Sequence, residues 1–390
     1  MTRQTDSKNP QIRFRGFNEH WENRKLGTIC KTFHSGTFIK AADIKIFGDY
    51  PVYGGNGRRG YSASYNHDGL YALIGRQGAL CGNMNLSSGK AFFTEHAVAV
   101  QADDQNDTLF LYYLLDIMNL GQYSSQSAQP GLAVNKLVEL SAFIGEKKEQ
   151  IKIGQYFKGL DRLIELHQRK HEKLVTLKQA MLQKMFPQGG ATRPEIRFKD
   201  FPDDWEEKKL GDICEIVGGG TPSTSIPEYW GGNIDWYSPT EIGSNVYASE
   251  SVKKITQLGL DKCSAKILPA RKTVLFTSRA GIGDMAILKK PGCTNQGFQS
   301  LVLNDDIDTY FIYSMGYMLK NYALKHASGS TFLEISSKQL KKMEIRLPKH
   351  SEQQKIGSYF RKLDELISQH ATQLEKLKQI KSACLAKMFV

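Results

Sequence analysis

The sequence contains the same frame twice, and this repeat constrains the fold more than any other feature. Residues 12–30 read IRFRGFNEHWENRKLGTIC and residues 196–214 read IRFKDFPDDWEEKKLGDIC, with 11 of 19 positions identical at a separation of 184. Residues 150–186 match residues 353–389 at a separation of 203, with 20 of 37 positions identical. The stretches between them look unrelated, and the second is longer by 203 − 184 = 19 residues. We therefore expect two copies of one frame, each enclosing a different insert.

Length and charge agree with two domains and an anionic partner. The chain has 390 residues and 40% hydrophobic content, which suffices for two buried cores. Its formal net charge is +12. A positive excess of this size favours a polyanionic partner, most simply nucleic acid, although a basic protein without such a partner is an open alternative.

Composition predicts a cytoplasmic chain without membrane spans, disulfides or zinc. No apolar stretch approaches the ~18 residues of a membrane helix. The opening residues MTRQTDSKNPQ are polar, unlike a secretory signal. The six cysteines form no C-x-x-C pair, and the repeat equivalents Cys30 and Cys214 are predicted to be small buried side chains.

The closing segment of each half predicts a long amphipathic helix, because apolar residues recur every seven positions. A helix of about 38 residues would be ~57 Å long, and its apolar stripe needs a partner. We expect the two helices to pair as an antiparallel coiled coil with pseudo-two-fold symmetry. The predicted seam residues are Ile153, Leu160, His167, Leu174 and Met181 in the first helix, and Ile356, Leu363, His370, Leu377 and Cys384 in the second.

The inserts predict two globular domains that mix helices and strands. Strand-like runs occur at 72–76 and 92–100 in the first insert and at 272–278 and 299–303 in the second. A helical pattern follows them, near 108–119 in the first insert and near 308–325 in the second. This mixture favours the α+β class over a regular βαβ array.

The pattern divides the chain into six segments, in which a Gly- and Pro-containing linker separates the halves. They are a flexible N-terminus (1–11), a first globular domain (12–145), a long helix (146–187), the linker (188–195), a second globular domain (196–347) and a second long helix (348–390).

We find no motif for catalysis in the sequence. The chain lacks the G-x-x-x-x-G-K-[ST] loop of nucleotide-driven motors and the Asn-Pro-Pro-aromatic motif of amino-group methyltransferases. A partial nuclease pattern at 202–208 is too tightly spaced, and the first repeat does not have it. His167 and His171 lie one helical turn apart, but the repeat keeps only His370 and has Leu374 at the second place, so we predict no metal site.

The order of these motifs resembles the specificity subunit of Type I restriction–modification systems. Each half has a Leu-Gly motif, a variable domain, Glu-Gln-x-x-Ile-Gly and a long helix ending in Lys-Met-Phe. The resemblance covers nearly the whole chain and rests on the order of the motifs, which is the same in both halves. Family-like phrases lie at 52–57, 75–79 and 94–98 in the first half, and at 219–223, 229–232, 234–236, 279–283, 294–297 and 329–331 in the second.

The two halves depart from each other at two places. Ile144-Gly145 precedes the first long helix, whereas Leu347-Pro348 precedes the second. Gln129-Pro130-Gly131 stands where the second half has Ser328-Gly329-Ser330-Thr331. These differences leave open how the chain turns into the first helix.

The resemblance implies a DNA-recognition subunit that is not itself an enzyme. The inserts would be target recognition domains, each reading one half of a bipartite, asymmetric target in double-stranded DNA, and the helix pair would set the spacer. Two modification subunits would methylate adenine N6 with S-adenosylmethionine, and restriction subunits would add translocation and cleavage with ATP and Mg. This chain would then bind no cofactor. A helix pair ~57 Å long could hold two domains about one DNA turn, ~34 Å, apart.

Two other classes of protein are alternatives to a DNA-recognition subunit. A single-chain methyltransferase or nuclease is disfavoured because its motifs are missing. A coiled-coil scaffold that assembles proteins without reading DNA is disfavoured by the positive charge and by the divergence of the inserts.

Candidate DNA-binding residues follow from the chemistry of base edges. Readout in a groove uses Arg or Lys for guanine and Asn or Gln for adenine. Polar residues in Gly-rich loops are therefore our candidates, although such residues can simply cap turns. They are Asn56, Arg58, Arg59, Arg76 and Gln77 in the first half, and Thr221, Ser223, Thr224, Ser238, Thr240, Arg279, Asn295 and Gln296 in the second.

A separate hypothesis concerns the two seam histidines. His167 and His370 are repeat equivalents near the midpoints of their helices. In an antiparallel pair they would lie close to the two-fold axis, where partial burial would make the seam sensitive to pH. The alternative is that both are simply solvated.

Overall fold

The chain forms two compact units that each mix helices and strands. The computed structural model describes residues 9–124, 130–329 and 333–390. The first unit comprises the chain up to Gln168 together with Thr372–Val390, and the second comprises Arg169–Ala371. The predicted α+β class is confirmed. Within the described ranges, no helix is both long and apolar enough to span a membrane.

Short strands and two α-helices build the described part of the insert of the first unit, and the longer helix has ten residues. Asp107 begins that helix, because its carboxylate accepts a hydrogen bond from the amide of Phe110 at 2.8 Å. The elements of the first half are β1 (Glu22–Lys25), β2 (Cys30–Ser35), β3 (Tyr50–Gly54), β4 (Gly57–Ser62), β5 (Tyr71–Gly75), β6 (Met84–Ser87), β7 (Phe92–Phe93), β8 (Ala97–Ala102), α1 (Thr108–Ile117), α2 (Val134–Leu137), β9 (Ser141–Ile144) and α3 (Lys147–Lys184).

The second half repeats this order with additional short strands and helices. Asp308 caps its helix as Asp107 does, with 2.8 Å from its carboxylate to the amide of Phe311. The elements are β10 (Glu206–Lys209), α4 (Leu210–Ile213), β11 (Cys214–Gly218), β12 (Trp230–Tyr237), β13 (Tyr247–Ala248), β14 (Lys253–Ile255), α5 (Gln257–Asp261), β15 (Thr273–Phe276), β16 (Met285–Leu288), β17 (Gly292–Thr294), β18 (Gln299–Leu303), α6 (Thr309–Ser314), α7 (Gly316–His326), α8 (Ser337–Leu340), β19 (Glu344–Leu347) and α9 (His350–Met388).

The two inserts share one sheet topology, which their sequences do not reveal. The larger sheet of the first unit has the order β2-β8-β5-β6, and that of the second has β11-β18-β15-β16 with β13 added at the edge. The smaller sheets have the orders β4-β3-β7 and β14-β12-β17. In both, the last two strands are parallel and the first two antiparallel. The inserts are therefore two versions of one domain.

Alternation along the central strands buries both faces of the larger sheet. In β5, Ile74 packs into the core that contains Phe110 of α1, whereas Leu73 packs with Phe93 of the smaller sheet. In β15, Phe276 and Leu275 divide in the same way between two cores. Side chains alternate between the two faces of a strand. One face of each larger sheet therefore packs against helices, and the other packs against the smaller sheet.

Each unit contains parts of both long helices. The structure confirms long helices of the predicted size, with 38 residues in α3 and 39 in α9. In the first unit, Lys381 of α9 pairs with Asp161 at 2.6 Å, and Cys384 contacts the Tyr156 hydroxyl at 3.5 Å. Residue numbers rise along one helix as they fall along the other, so the packing is antiparallel, as predicted. In the second unit, Lys178 of α3 pairs with the repeat equivalent Asp364.

The Lys-Met-Phe ends of the long helices close the two cores. Phe389 stacks on Phe110 at 5.3 Å between ring centroids and contacts Trp21 at 6.4 Å. Phe186 packs in the same way against Phe311 at 5.4 Å and Trp205 at 6.1 Å. Each helix therefore begins in one unit and supplies its last aromatic side chain to the core of the other.

A buried carboxylate fastens the opening motif of each frame to the start of its long helix. Glu149 is fully buried and accepts two hydrogen bonds from Arg13, at 2.8 and 2.7 Å. Trp21 donates a third at 2.8 Å. Arg197 and Glu352 form the same bidentate pair, at 2.7 and 2.7 Å. The repeat of the sequence is thus a repeat of one ionic clasp, which explains why these residue types recur.

Some predicted details differ in the structure. The run at 92–100 is not one strand, because a turn separates β7 from β8. The helical pattern at 308–325 divides into α6 and α7, since Met315 leaves helical geometry and Gly316 lies against Met285. Cys214 is buried and Cys30 half-buried, and burial raises the pKa of both thiols to about 12.

Seam residues near the start of each long helix are buried, and those near its end are half-buried. Ile153, Leu160, Ile356 and Leu363 lie in the cores, and Leu174, Met181, Leu377 and Cys384 pack against them. His167 belongs to the first unit and His370 to the second, and their meeting at a two-fold axis stays a prediction. The six segment boundaries also stay a prediction, because the compact units cut across both helices.

Candidate nucleic-acid interface

Three loops of the first unit meet at one end of its two sheets. They are the β3–β4 turn with Asn56, the turn after β5 with Arg76 and Gln77, and the segment between β7 and β8. Gly55 lies so close that a Cβ there would be 3.1 Å from the His96 carbonyl oxygen and 3.3 Å from that of Gln77. The Arg76 amide donates to the His96 carbonyl at 2.9 Å. We call Asn56, Arg59, Arg76 and Gln77 the first cluster.

The side chains of the first cluster combine free polar groups with internal contacts. The Gln77 amide oxygen lies 3.0 Å from Nδ1 of His96, so His96 can orient that amide. The Arg76 guanidinium donates weakly to the Glu95 carbonyl at 3.5 Å, and its Nε is buried without a hydrogen-bond partner in the described ranges. Asn56 and Gln77 are exposed. The cluster therefore presents donors and acceptors to solvent from a fixed backbone.

The two arginines of β4 point in different directions. Arg59 reaches the cluster, since a Cβ on Gly54 would lie 2.7 Å from its Cδ and 3.4 Å from Oγ1 of Thr94. Arg58 lies over the ring of Tyr61, with its guanidinium carbon 5.2 Å from the ring centroid. Arg59 is the extra residue of a β-bulge, since Val52 pairs with Gly60 and Tyr53 with Arg58, and these contacts place only Arg59 beside the first cluster.

The second unit brings together six of its eight candidates. The Thr221 hydroxyl donates to the Gln296 side chain. Gly297 lies against Pro239, which precedes Thr240, and a Cβ there would be 3.5 Å from Nε of Arg279. We call the following residues the second cluster: Thr221, Ser238, Thr240, Arg279, Asn295 and Gln296.

Two members of the second cluster also serve as caps. The Ser238 hydroxyl donates to Glu241 at 2.7 Å and closes a short 3-10 turn, Pro239–Glu241. The Asn295 side chain accepts from the amide of Gly297 at 2.8 Å. The remaining candidates, Ser223 and Thr224, lie further along the exposed loop, where the Ser223 hydroxyl contacts Ser225 at 2.8 Å.

A charged pair supports the strand beneath the second cluster. Burial alone would raise the pKa of Asp235, but hydrogen bonds from Ser251 and the ammonium of Lys254 outweigh it, so this pKa lies below its ordinary value. The neighbouring Tyr237 is buried, and burial raises its pKa. The ionised carboxylate holds β12 in place beneath the cluster, in which Thr221, Thr240 and Gln296 are exposed.

Matching main-chain hydrogen bonds place the two clusters in register. The amides of Arg76 and Ser278 donate to the His96 and Gly297 carbonyls at 2.9 and 2.8 Å. Since Arg76 and Ser278 are equivalent, so are the residues that follow them, Gln77 and Arg279.

Further main-chain hydrogen bonds relate the loops that follow β3 and β2 to those that follow β12 and β11. The amides of Thr94 and Asn295 donate to the Tyr53 and Tyr237 carbonyls at 2.9 and 3.0 Å. Three residues after these tyrosines, the first unit has Asn56 in the tight β3–β4 turn and the second has Thr240 in the 3-10 turn Pro239–Glu241. The amides of Thr37 and Gly220 donate to the equivalent Phe93 and Thr294 carbonyls at 3.0 and 2.9 Å, which aligns Phe38 with Thr221. One scaffold thus presents different side chains at the same positions.

The turn that carries Gln77 and Arg279 has a left-handed residue next in sequence. Gly78 has φ of +87°, and its equivalent Ala280 has φ of +50°. A residue with a Cβ adopts this conformation at a cost of roughly 1–2 kcal/mol. Strain of this kind collects at binding sites, so the turn marks the place where the second unit fixes its arginine.

Three residues near the clusters were not among our candidates. Phe38 stands at the position of Thr221, and His96 and Glu95 contact Gln77 and Arg76. The hydrogen-bonded register of the strands identifies these three residues, and the sequence alone does not reveal that register. Gln129, Ser330 and Thr331, which our sequence phrases include, lie outside the described residues. In the described ranges no group of three or more His, Cys, Asp or Glu side chains could hold a metal ion.

Known proteins share both the sequence pattern and the fold. The family described as Type I restriction modification DNA specificity domain matches residues 18–176 and 202–379. The chain is 38% identical over 210 residues to the Type I restriction enzyme MjaIX specificity subunit of Methanocaldococcus jannaschii, which covers 51% of this chain and 48% of that protein. It is 48% identical over 146 residues to the Type I restriction enzyme EcoprrI specificity subunit of Escherichia coli, covering 36% of each.

These two alignments span about half of the curated relatives' length or less. A solved structure covers the whole chain. The S subunit of a Type-I restriction–modification system from M. genitalium matches with a TM-score of 0.70 at 18% identity, over 98% of this chain and 99% of that one. This likeness shows a common fold.

Proposed function

Because the chain belongs to the family of Type I restriction modification DNA specificity domains, we propose that it is the sequence-reading subunit of a Type I restriction–modification complex. Each unit reads one half of a bipartite DNA target, and the paired helices set the spacer. The observation that carries this proposal is the register of the two clusters. Gln77 and Arg279 occupy the same position of the same turn, and these residue types prefer adenine and guanine respectively.

The repeated frame supports a second part of the proposal. Corresponding buried clasps, Arg13 with Glu149 and Arg197 with Glu352, fold the two frames alike, so that the frames offer similar surfaces. Similar surfaces suit two copies of the same partner, so two modification subunits bind this chain, one to each half. Restriction subunits join through that assembly.

Catalysis and cofactors belong to those partners in this proposal. Modification subunits bring S-adenosylmethionine for adenine N6 methylation, and restriction subunits bring ATP and Mg for translocation and cleavage. This chain contributes recognition without catalysis, and it acts in the cytoplasm, where the DNA of a bacterial or archaeal host lies. The net charge of +12 supports phosphate contacts that give affinity without sequence choice.

Selection from random duplexes tests the proposal. The chain is assembled with its modification subunits, and bound duplexes are sequenced at two salt concentrations. We expect a bipartite motif with two different halves at a fixed separation. Assembly without any enriched bipartite motif would instead support the scaffold alternative. Methylation of DNA by this chain without its partners would support the enzyme alternative.

A further inference from the structure

The first unit carries an exposed apolar patch beside its cluster. Phe38 is 71% exposed, Ile46 82% and Phe47 84%. All three belong to the segment that joins β2 to β3. Solvent exposure of two phenylalanines and an isoleucine in one segment costs hydrophobic free energy, so such a patch calls for a binding partner. We call these three residues the apolar patch.

Main-chain contacts fix this segment in place. The Lys45 amide donates to the Tyr61 carbonyl at 2.8 Å, and the Tyr61 amide returns a bond to Lys45 at 2.9 Å. Gly60 permits this approach, since a Cβ there would lie 2.6 Å from the Lys45 carbonyl oxygen. Ile46 and Phe47 follow directly in a bend, so the fold displays them next to an anchored bridge residue. Their exposure is built into the structure.

The other end of the segment is anchored at the first cluster. Thr37 donates to the Phe93 carbonyl at 3.0 Å, and Asn66 bonds both that carbonyl and the Thr37 hydroxyl at 2.9 Å. Phe38 therefore occupies the position that Thr221 holds in the second cluster, where the hydroxyl contacts Gln296. Phe38 is thus the member of the apolar patch whose position corresponds to a candidate for base contact, and Ile46 and Phe47 lie further along the same segment.

Basic side chains outnumber acidic ones around the patch. Lys40 and Lys45 lie within the segment, and Arg58 and Arg59 lie on the neighbouring strand β4. Asp43 and Asp49 belong to the same stretch, and Glu95 stands at the position that Gln296 holds in the second unit, so four cations accompany three anions. Exposed apolar side chains with cations nearby suit DNA, in which apolar base surfaces lie between phosphate chains.

From this arrangement we infer that Phe38, Ile46 and Phe47 contact bases of the first half-site directly. Phenylalanine and isoleucine contact thymine methyl groups or wedge between base steps, and both contacts bury apolar surface against the bases. The second unit has polar Thr221 at the position of Phe38, so apolar base contact is particular to the first unit. This inference rests on the proposed function and adds a specificity determinant to it.

A triple variant tests the inference: Phe38→Ser, Ile46→Ser and Phe47→Ser in one chain. The matched control is Val252→Ser, since Val252 is 85% exposed in the second unit and lies outside the second cluster. All chains are assembled with modification subunits and titrated with the duplex that the wild-type complex selects. We expect the triple variant to lose affinity roughly tenfold or more, which is the scale of a lost base pair contact, and the control to bind as wild type.

Three further readouts separate this result from other causes. Hydrogen exchange of β5 and β8 should match the wild type, because the substituted side chains are exposed. The slope of affinity against salt should also be unchanged, since no phosphate contact is removed. A Phe38→Leu, Phe47→Leu variant should keep most of the affinity, because leucine retains an apolar contact.

The outcomes that overturn the inference are distinct from failure of the proposed function. Unchanged affinity and unchanged first half-site in the triple variant would overturn it. So would loss of assembly with the modification subunits, since the patch would then be a protein-docking surface. If the wild-type complex selects no bipartite sequence at all, the proposed function itself fails.

Discussion

The two units differ in what they display and agree in how they display it. Both place four loops at one end of an equivalent pair of sheets, held by matching main-chain hydrogen bonds. The first presents Gln77 and Asn56 beside Phe38, and the second presents Arg279 and Thr240. The comparison teaches that backbone register is the constant part of this molecule, while side-chain chemistry is its variable part.

The largest effect is expected where the frame closes each core. Phe389→Ala should loosen the first unit and Phe186→Ala the second, each by about 3–5 kcal/mol, because a large buried aromatic is removed. Hydrogen exchange followed separately in β8 and β18 measures this. Ile380→Ala is the control, since Ile380 is 45% exposed on α9. Equal loosening of both units by either variant would contradict the account.

Base reading should show the sharpest asymmetry between the units. Gln77→Ala should relax one position of the first half-site, and Arg279→Ala one position of the second, each by about 1–3 kcal/mol. Duplex selection with each variant complex measures the change. Thr176→Ala on α3, away from both clusters, is the control. A change in both half-sites caused by either variant would contradict the claim that Gln77 and Arg279 each read one half-site.

Tryptophan provides a test of the one place where the clasps differ. Trp21 donates to Glu149 at 2.8 Å, whereas Nε1 of Trp205 is buried and has no partner in the described ranges. Trp21→Phe should cost about 1–3 kcal/mol more than Trp205→Phe, because it removes a donor from a buried carboxylate. Denaturant unfolding followed by exchange in each unit measures the difference. Equal costs would show that this hydrogen bond contributes nothing.

The smallest effect concerns the strained turn. Ala280→Gly should stabilise the second unit by about 1 kcal/mol or less, since relief of the left-handed strain is partly offset by glycine's entropy. Gly78→Ala should destabilise the first unit by a similar amount, and no atom lies within 4 Å of a Cβ there. Melting curves of the two variants measure both signs. A shift of the same sign in both variants would refute the matched roles of this turn.

Much of the frame was predictable from the sequence, because its contacts link residues that recur in both halves. The seven-residue repeat predicted both long helices and their antiparallel pairing, but not the packing of Phe186 and Phe389 into the two cores. The shared topology of the inserts was not predictable, since strand register depends on main-chain bonds that different side chains can satisfy equally.

The same limit applies to the candidate interface. Side-chain chemistry suggested Gln77 and Arg279 separately. The matching hydrogen bonds of the Arg76 and Ser278 amides show that the two residues occupy equivalent positions. Phe38 was not predicted, because an apolar residue in a sequence is normally assigned to the hydrophobic core. Its exposure follows from the hydrogen bond that anchors Thr37.

An exchange of inserts tests the central claim most directly. Residues 28–137 are replaced by residues 212–340, so that both frames carry the second insert. The graft points are equivalent, because Gly27 and Gly211 donate to the carbonyls of Val138 and Lys341 at 2.9 and 3.1 Å. Duplex selection by the assembled complex is then the measurement. We predict a target with two identical halves in inverted orientation, each equal to the wild-type second half. Selection of the original asymmetric target would contradict the claim that the inserts read the sequence.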